Sequence, residues 1–131
     1  MNAKLWFNGS MKFPLASLIV AGFLAGCAKA PTPPTAVETA RYNAAFADAK
    51  MTPAIQAEWS RSCALCHVAG QGGAPRMGHA DEWQPRLAKG KAVLMQHTLE
   101  GFNKMPPLGY CMDCEMTDFA AMIDMMSGAK Q

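Results

Sequence analysis

Residues 60–79 read SRSCALCHVAGQGGAPRMGH, and the reading of this stretch decides what kind of domain the chain forms. Two cysteines and a histidine, Cys63, Cys66 and His67, fall within five residues, and a glycine-rich run follows. Such a cluster serves as half of a metal knuckle, as a redox dithiol or as the attachment point of a covalent cofactor. Each chemistry demands different company elsewhere in the chain.

A chain of 131 residues has room for one small domain. Half of its residues are apolar and 17% are charged, a composition that excludes a disordered chain. A formal charge of +2 gives nucleic-acid binding no electrostatic basis. The five cysteines are an odd number, which an exported protein has to explain.

The first 26 residues carry Lys4 and Lys12, no acidic residue, and then FPLASLIVAGFLAG. That apolar run is too short to span a bilayer, which takes roughly 20 apolar residues. A basic region, a short apolar core and small residues make an export signal. The signal ends at Leu24-Ala25-Gly26-Cys27, which looks like the lipobox of bacterial lipoproteins. Residues 1–26 are therefore expected to be a signal peptide, Cys27 to be lipidated, and residues 27–37, with AKAPTPPTA, to form a proline-rich tether. At about 3.1 Å per residue it would reach roughly 25 Å. Ala28 and Lys29 lack the aspartate linked to inner-membrane retention, so the expected location is the periplasmic side of the cell envelope, at the outer rather than the inner membrane. The mature chain would carry ten basic and ten acidic side chains. Its acids cluster late, at Asp113, Glu115, Asp118 and Asp124, while Arg76, Arg86, Lys89, Lys91 and Lys104 lie upstream. Such runs commonly form solvated faces.

From residue 38 the pattern is helical. ETARYNAAFADAK pairs Tyr42 with Phe46 four residues apart. Thr52-Pro53 is a helix start, with Thr as N-cap and Pro at the first position, and that helix would run through Ile55 and Trp59 to end near Cys63. GQGGAPRMG is a loop. ADEWQPRLA is a short helix starting at Asp81, with Pro85 in its first turn. KAVLMQHTLE is a helix stopped by Gly101, with His97 expected to face solvent. After a proline-rich loop, Thr117 would cap a last helix whose Phe119, Met122, Ile123 and Met126 lie three and four apart. No segment alternates with period two. The fold class expected is all-α, with about four to five helices in a domain spanning residues 38–131.

C-x-x-C-H is an attachment motif for c-type haem. Two thiols three residues apart reach the two vinyl groups of one haem, and His67 is then placed under the iron as proximal ligand. A domain of about 95 residues buries a limited core, and a haem enlarges it. Met105-Pro106, 38 residues after His67 in a Gly/Pro loop, supplies a second axial ligand. His79 and His97 are its rivals. Met77, in the loop after His67, is placed to line the pocket, and the methionines of the last helix read as core or surface.

Two alternatives remain. Cys63, Cys66, Cys111 and Cys114 form two C-x-x-C pairs, the donor set of a four-thiolate zinc site. The 44-residue gap is long for a compact zinc ribbon, and zinc gives no reason for His67 or Met105-Pro106. A thioredoxin-like dithiol would want strands that the pattern lacks.

Taken together, Cys63-Ala-Leu-Cys66-His67, GGAPRMG, Trp83 and Arg86 in DEWQPRLAKG, and MPPLGYCMDC followed by a helix resemble the small class I bacterial cytochromes of the cytochrome c5 type. The resemblance covers residues 59–126. It implies one haem c held through Cys63 and Cys66, with His67 and Met105 as the metal ligands. It also implies a disulfide between Cys111 and Cys114, a carbonyl of Pro75 presented to His67, and Trp83 and Arg86 near the haem propionates. For Trp83 the alternative is plain core packing. The chain departs from the family pattern in its long segment from Val37 to Met51 and at Glu58-Trp59. With Cys27 lipidated, this assignment leaves no free thiol. The expected function is that of a monomeric, membrane-anchored one-electron carrier and not an enzyme, docking transiently with redox-protein donors and acceptors. The competing readings are a haem-based gas or peroxide sensor or enzyme whose sixth ligand is labile, and a zinc-stabilised binding module.

Overall fold

The computed structural model describes residues 32–128. The signal peptide, Cys27 and the first part of the expected tether, through residue 31, lie outside the described residues. The described part is all-α, as its patterning requires: α1 Ala36–Asp48, α2 Pro53–Arg61, α3 Ala64–His67, α4 Ala80–Leu87, α5 Lys91–Glu100 and α6 Met116–Ser127. Two 3₁₀ turns, Gln71–Gly73 and Pro107–Tyr110, complete it. Six α-helices exceed the expected four to five, because the C-x-x-C-H segment itself winds into a single turn, α3. Among the described residues there is no strand, only an isolated bridge between Phe102 and Met105.

Local chemistry sets most helix ends. The Thr35 hydroxyl accepts from the Glu38 amide while Glu38 accepts from the Thr35 amide, a reciprocal capping box that starts α1. Helix therefore begins at Ala36, and the last two residues of the expected tether, Ala36 and Val37, are its first turn. Thr52 caps α2 through the Ile55 amide, with Pro53 at the first position. Pro85 lies in the sixth position of α4, beyond its first turn. Glu115, rather than Thr117, caps α6, with Asp118 completing the box. A carboxylate accepts the same amide bond that a hydroxyl would, so the helix starts one residue before Thr117.

The core is built on α6. Phe119, Met122, Ile123 and Met126, the stripe predicted from spacing, are all buried. One side of α6 meets Tyr42 and Ala45 of α1 and Met95 of α5; the other meets Cys63, Trp83 and Leu94. The segment around α1 that departs from the family pattern is therefore a packed helix, with its Tyr42 and Ala45 in the core and Phe46 against it. Asp124 is 2% exposed and paired with Lys91, so this carboxylate leaves the solvated face expected of it.

Candidate cofactor site

A cavity of about 390 Å³ draws its walls from the C-x-x-C-H segment, the glycine-rich loop after it, Trp83 and Arg86, and Met105-Pro106. On one side α2 ends and the chain turns at Ser62, whose hydroxyl donates to the Glu58 carbonyl at 2.6 Å. That turn buries Cys63, with its sulfur 3.7 Å from the Met122 sulfur. Burial pushes the Cys63 thiol up from its ordinary pKa. Cys66 is half-buried one turn further on, and neither cysteine is in a disulfide. His67 ends α3 and is buried.

A turn through Gly70, Gly72 and Gly73, all in the left-handed region, brings the chain back over His67. The His67 Nδ1 lies 2.8 Å from the Pro75 carbonyl oxygen. A carbonyl only accepts, so Nδ1 carries the proton and Nε2 keeps its lone pair. Burial lowers the imidazole pKa, opposed by the Pro75 carbonyl and assisted by the charge of Arg86. The ring is thus a neutral donor of fixed tautomer. The Met77 amide donates to the His67 carbonyl and the Gly78 amide to the Met126 carbonyl, both at 2.8 Å, fastening the loop to α3 and α6.

Trp83 is buried and its ring lies 5.8 Å from that of His67, nearly parallel at 21°. Its Nε1 donates to the Arg76 carbonyl at 2.9 Å. Arg76 in turn binds Glu82 through its amide and guanidinium. Arg86 reaches back to the Glu82 carbonyl at 2.5 Å and lines the cavity. Trp83 is therefore both part of the core and a wall of the cavity.

Another part of the wall is the loop after α5. Phe102 and Met105 exchange backbone hydrogen bonds of 3.0 and 2.9 Å, which present Met105 in a tight turn. A Cβ placed on Gly109 would lie 3.6 Å from the Met105 methyl and 3.8 Å from the Cys63 sulfur, so this wall closes down onto the first. Cys111 and Cys114 are joined in a disulfide just beyond it. The four sulfurs of the zinc alternative do not converge: among the described residues, the only cluster of metal-ligating groups is Glu58 with Cys111 and Cys114.

Two expectations change. His79 and Met77 are exposed and outside the cavity wall, so Met77 does not line the pocket and His79 is not placed as a ligand. His97 does not face solvent freely. It lines the cavity, its ring stacked 4.0 Å from that of Phe102. Burial, with Lys89 nearby, lowers its pKa. Lys89, Asn103, Lys104 and Tyr110 also reach the wall, and sequence reading passed over all four as site residues. Their signal is only their nearness to Gly90 and Met105 in the chain.

An apolar cavity with two unpaired thiols, a neutral imidazole of fixed tautomer and a thioether around it, and cations at its edge, fits a covalently attached haem. Residues 50–126 match the family model of the cytochrome c oxidase cbb3-type subunit III. The chain is 39% identical over 71 residues to cytochrome c5 of Azotobacter vinelandii, covering 53% of this chain and 86% of that one. It resembles the solved mono-haem ferrocytochrome c of Shewanella putrefaciens, with 40% identity and a TM-score of 0.53 over 63% of this chain and all of the other. A chain from the crystal structure of an electron transfer complex of nitrite reductase with cytochrome c superposes with a TM-score of 0.54 and 29% identity over 63% of this chain and all of that one. The chain therefore belongs to the class I c-type cytochromes and carries one covalently bound haem c.

Proposed function

We propose that this cytochrome is a one-electron carrier held at the periplasmic face of the bacterial envelope, with His67 and Met105 as its two axial ligands. Cys63 and Cys66 are the thioether positions. Once bound, haem c supplies an iron that takes up and releases single electrons. The observation that carries this reading is the hydrogen bond from His67 Nδ1 to the Pro75 carbonyl, in a cavity that Met105 also lines. That bond fixes the ring and raises the basicity of Nε2. With His67 and Met105 both holding the iron, no position would be left for a substrate, which favours carriage over catalysis. Trp83 and Arg86 close the edge where propionates would be held.

Docking follows the same logic. A chain from a nitrite reductase–cytochrome c complex shares this fold, and a comparable transient contact with donor and acceptor proteins suits a carrier acting as a monomer. A lipid on Cys27 and the residues after it would keep the domain near the membrane.

Ligation is tested by the optical spectrum of the oxidised protein. The long-wavelength methionine–iron charge-transfer band is expected in the wild type and absent in Met105→Ala. A wild type that lacks the band and binds carbon monoxide readily when reduced would overturn the carrier reading in favour of a sensor or enzyme. Anchoring is tested separately: Cys27→Ser is expected to move the protein from the membrane to the soluble fraction, and an unchanged distribution refutes the anchor.

A further inference from the structure

We propose that opening the Cys111–Cys114 disulfide creates a site for one thiophilic divalent cation, Zn²⁺, bound by both thiolates and the Glu58 carboxylate. Glu58 stands on α2, 53 residues before Cys111, yet its Oε2 lies 3.7 Å from the Cys111 sulfur. The ligand atoms of Glu58, Cys111 and Cys114 all fall within 4.8 Å of one another. In the disulfide neither sulfur carries a proton, so Glu58 Oε2 faces a sulfur that has nothing to donate. Its other oxygen pairs with Arg61. The carboxylate oxygen thus sits beside a sulfur that can neither donate to it nor bind a metal with it until the disulfide opens. Cys111 is 4% exposed, which keeps competing water from its sulfur.

The donor set matches the ion. Two cysteines separated by two residues form one half of many structural zinc sites, and a carboxylate is an accepted third ligand. Tetrahedral zinc, with sulfur at about 2.3 Å and oxygen at about 2.1 Å, sets its ligand atoms roughly 3.6–3.8 Å apart. The carboxylate oxygen must close in by about 1 Å and the two sulfurs, about 2 Å apart in a disulfide, must separate to about 3.8 Å once the bond opens, both within reach of side-chain rotation. Water completes the fourth position.

The chemistry balances with a dithiol reductant. Its two thiols transfer two electrons and two protons to the Cys111–Cys114 bond, giving two protein thiols and the reductant's own disulfide. Binding of Zn²⁺ then releases the two thiol protons to solvent. The oxidised protein has no thiolate to offer and binds no zinc, so the site is gated by the redox state of the envelope.

The test uses the haem-loaded chain, in which the thioethers occupy Cys63 and Cys66. It is reduced with a phosphine, its thiols are counted by alkylation and mass, and Zn²⁺ is titrated against a chromophoric indicator. One zinc per chain is expected in the reduced wild type and none in the oxidised protein or in Cys111→Ser/Cys114→Ser. Glu58→Gln is expected to weaken binding by at least about tenfold, the lower bound for losing even an outer partner of a metal site. Reduced wild type with both thiols free and no zinc overturns the proposal, as does Glu58→Gln binding at wild-type strength. Should reduction alone unfold the domain, Zn²⁺ is expected to restore its native circular dichroism, and failure to do so counts equally against the site. The haem spectrum reports on the carrier reading independently of every one of these outcomes.

Discussion

Gly101 shows how much one residue can hide. Its φ is +85°, and a Cβ there would come within 2.9 Å of the Met105 carbonyl oxygen and 3.0 Å of the Pro107 nitrogen. Gly101→Ala is therefore expected to cost about 1–3 kcal/mol of strain and to displace the Met105 turn. A fall in denaturation midpoint together with a weakened methionine–iron band would be its signature; a silent substitution would mean the loop adapts freely. The sequence reading saw in Gly101 only a helix stop, because the return of Met105 and Pro107 against it is not local. His97 was misplaced for the same reason: its mid-helix position says nothing about Phe102 folding back onto its ring. His67 and Pro75 were legible because a known motif ties them together across eight residues. Glu82 belongs with the hidden residues. It accepts from the Arg76 amide at 2.6 Å and from Nε at 2.7 Å, and these bonds hold its carboxyl below its ordinary range. A depressed folded pKa gives stability that is full above the unfolded value of about 4.3 and is lost as pH falls through the folded one. Wild type is thus expected to exceed Glu82→Gln in thermal midpoint at neutral pH and to converge with it in acid. Parallel curves would show that the clamp does not contribute to folding.

Among the elements, the join between α5 and α6 carries the sharpest asymmetry. Lys91 Nζ lies 2.9 Å from Asp124 Oδ2 in a hydrogen bond and 2.8 Å from Oδ1 in an ion contact not aligned as one. It also sits 4.9 Å over the Phe46 ring of α1, so one side chain ties three helices. The two partners are not equivalent. Asp124 is 2% exposed, whereas the Lys91 side chain is 34% exposed and has a route to water. Lys91→Ala strands a buried carboxylate and is expected to cost about 3–5 kcal/mol. Asp124→Asn leaves a lysine that can turn to solvent, for about 0.5–1.5 kcal/mol. Chemical denaturation of the two variants decides the matter, and equal costs would mean that Asp124 is solvated in a way its burial does not suggest. Helix existence was legible for every helix but the single turn α3, since α2, α5 and α6 announce themselves by Thr52-Pro53, Gly101 and the Phe119–Met126 stripe. What escaped were boundaries set by carboxylate caps. Glu115 and Asp118 flank a conventional Thr117, and nothing local tells which of them the amide will choose. The pairing of Lys91 with Asp124, 33 residues apart, is equally invisible without the fold.

At the scale of the whole molecule, the helix that the family pattern did not anticipate becomes the most informative part. The family match begins at residue 50, after α1 has ended. Yet Tyr42 and Ala45 enter the same core as Met95 of α5 and Phe119 of α6, with Phe46 packed against it. Just before α1, the Thr32 carbonyl accepts from Gln96 of α5 at 2.9 Å. No residue of α1 lines the cavity. The division of labour is clear: residues 50–126 build the site, and α1 braces the far side of the two helices that support it. A chain beginning at residue 50 is therefore expected to keep its haem spectrum and its methionine–iron band while losing stability. Burial of Tyr42 and partial burial of Phe46, at roughly 1.5–3 kcal/mol per large apolar side chain, set that loss at about 3–6 kcal/mol. The measurement is the denaturant midpoint of the haem-loaded short and full chains, read by circular dichroism and by the haem absorption in parallel. A short chain with the full chain's midpoint would reduce α1 to a passive cover. A short chain that loses the methionine band would show instead that α1 transmits its bracing through α5 to Met105, making the added helix part of the site.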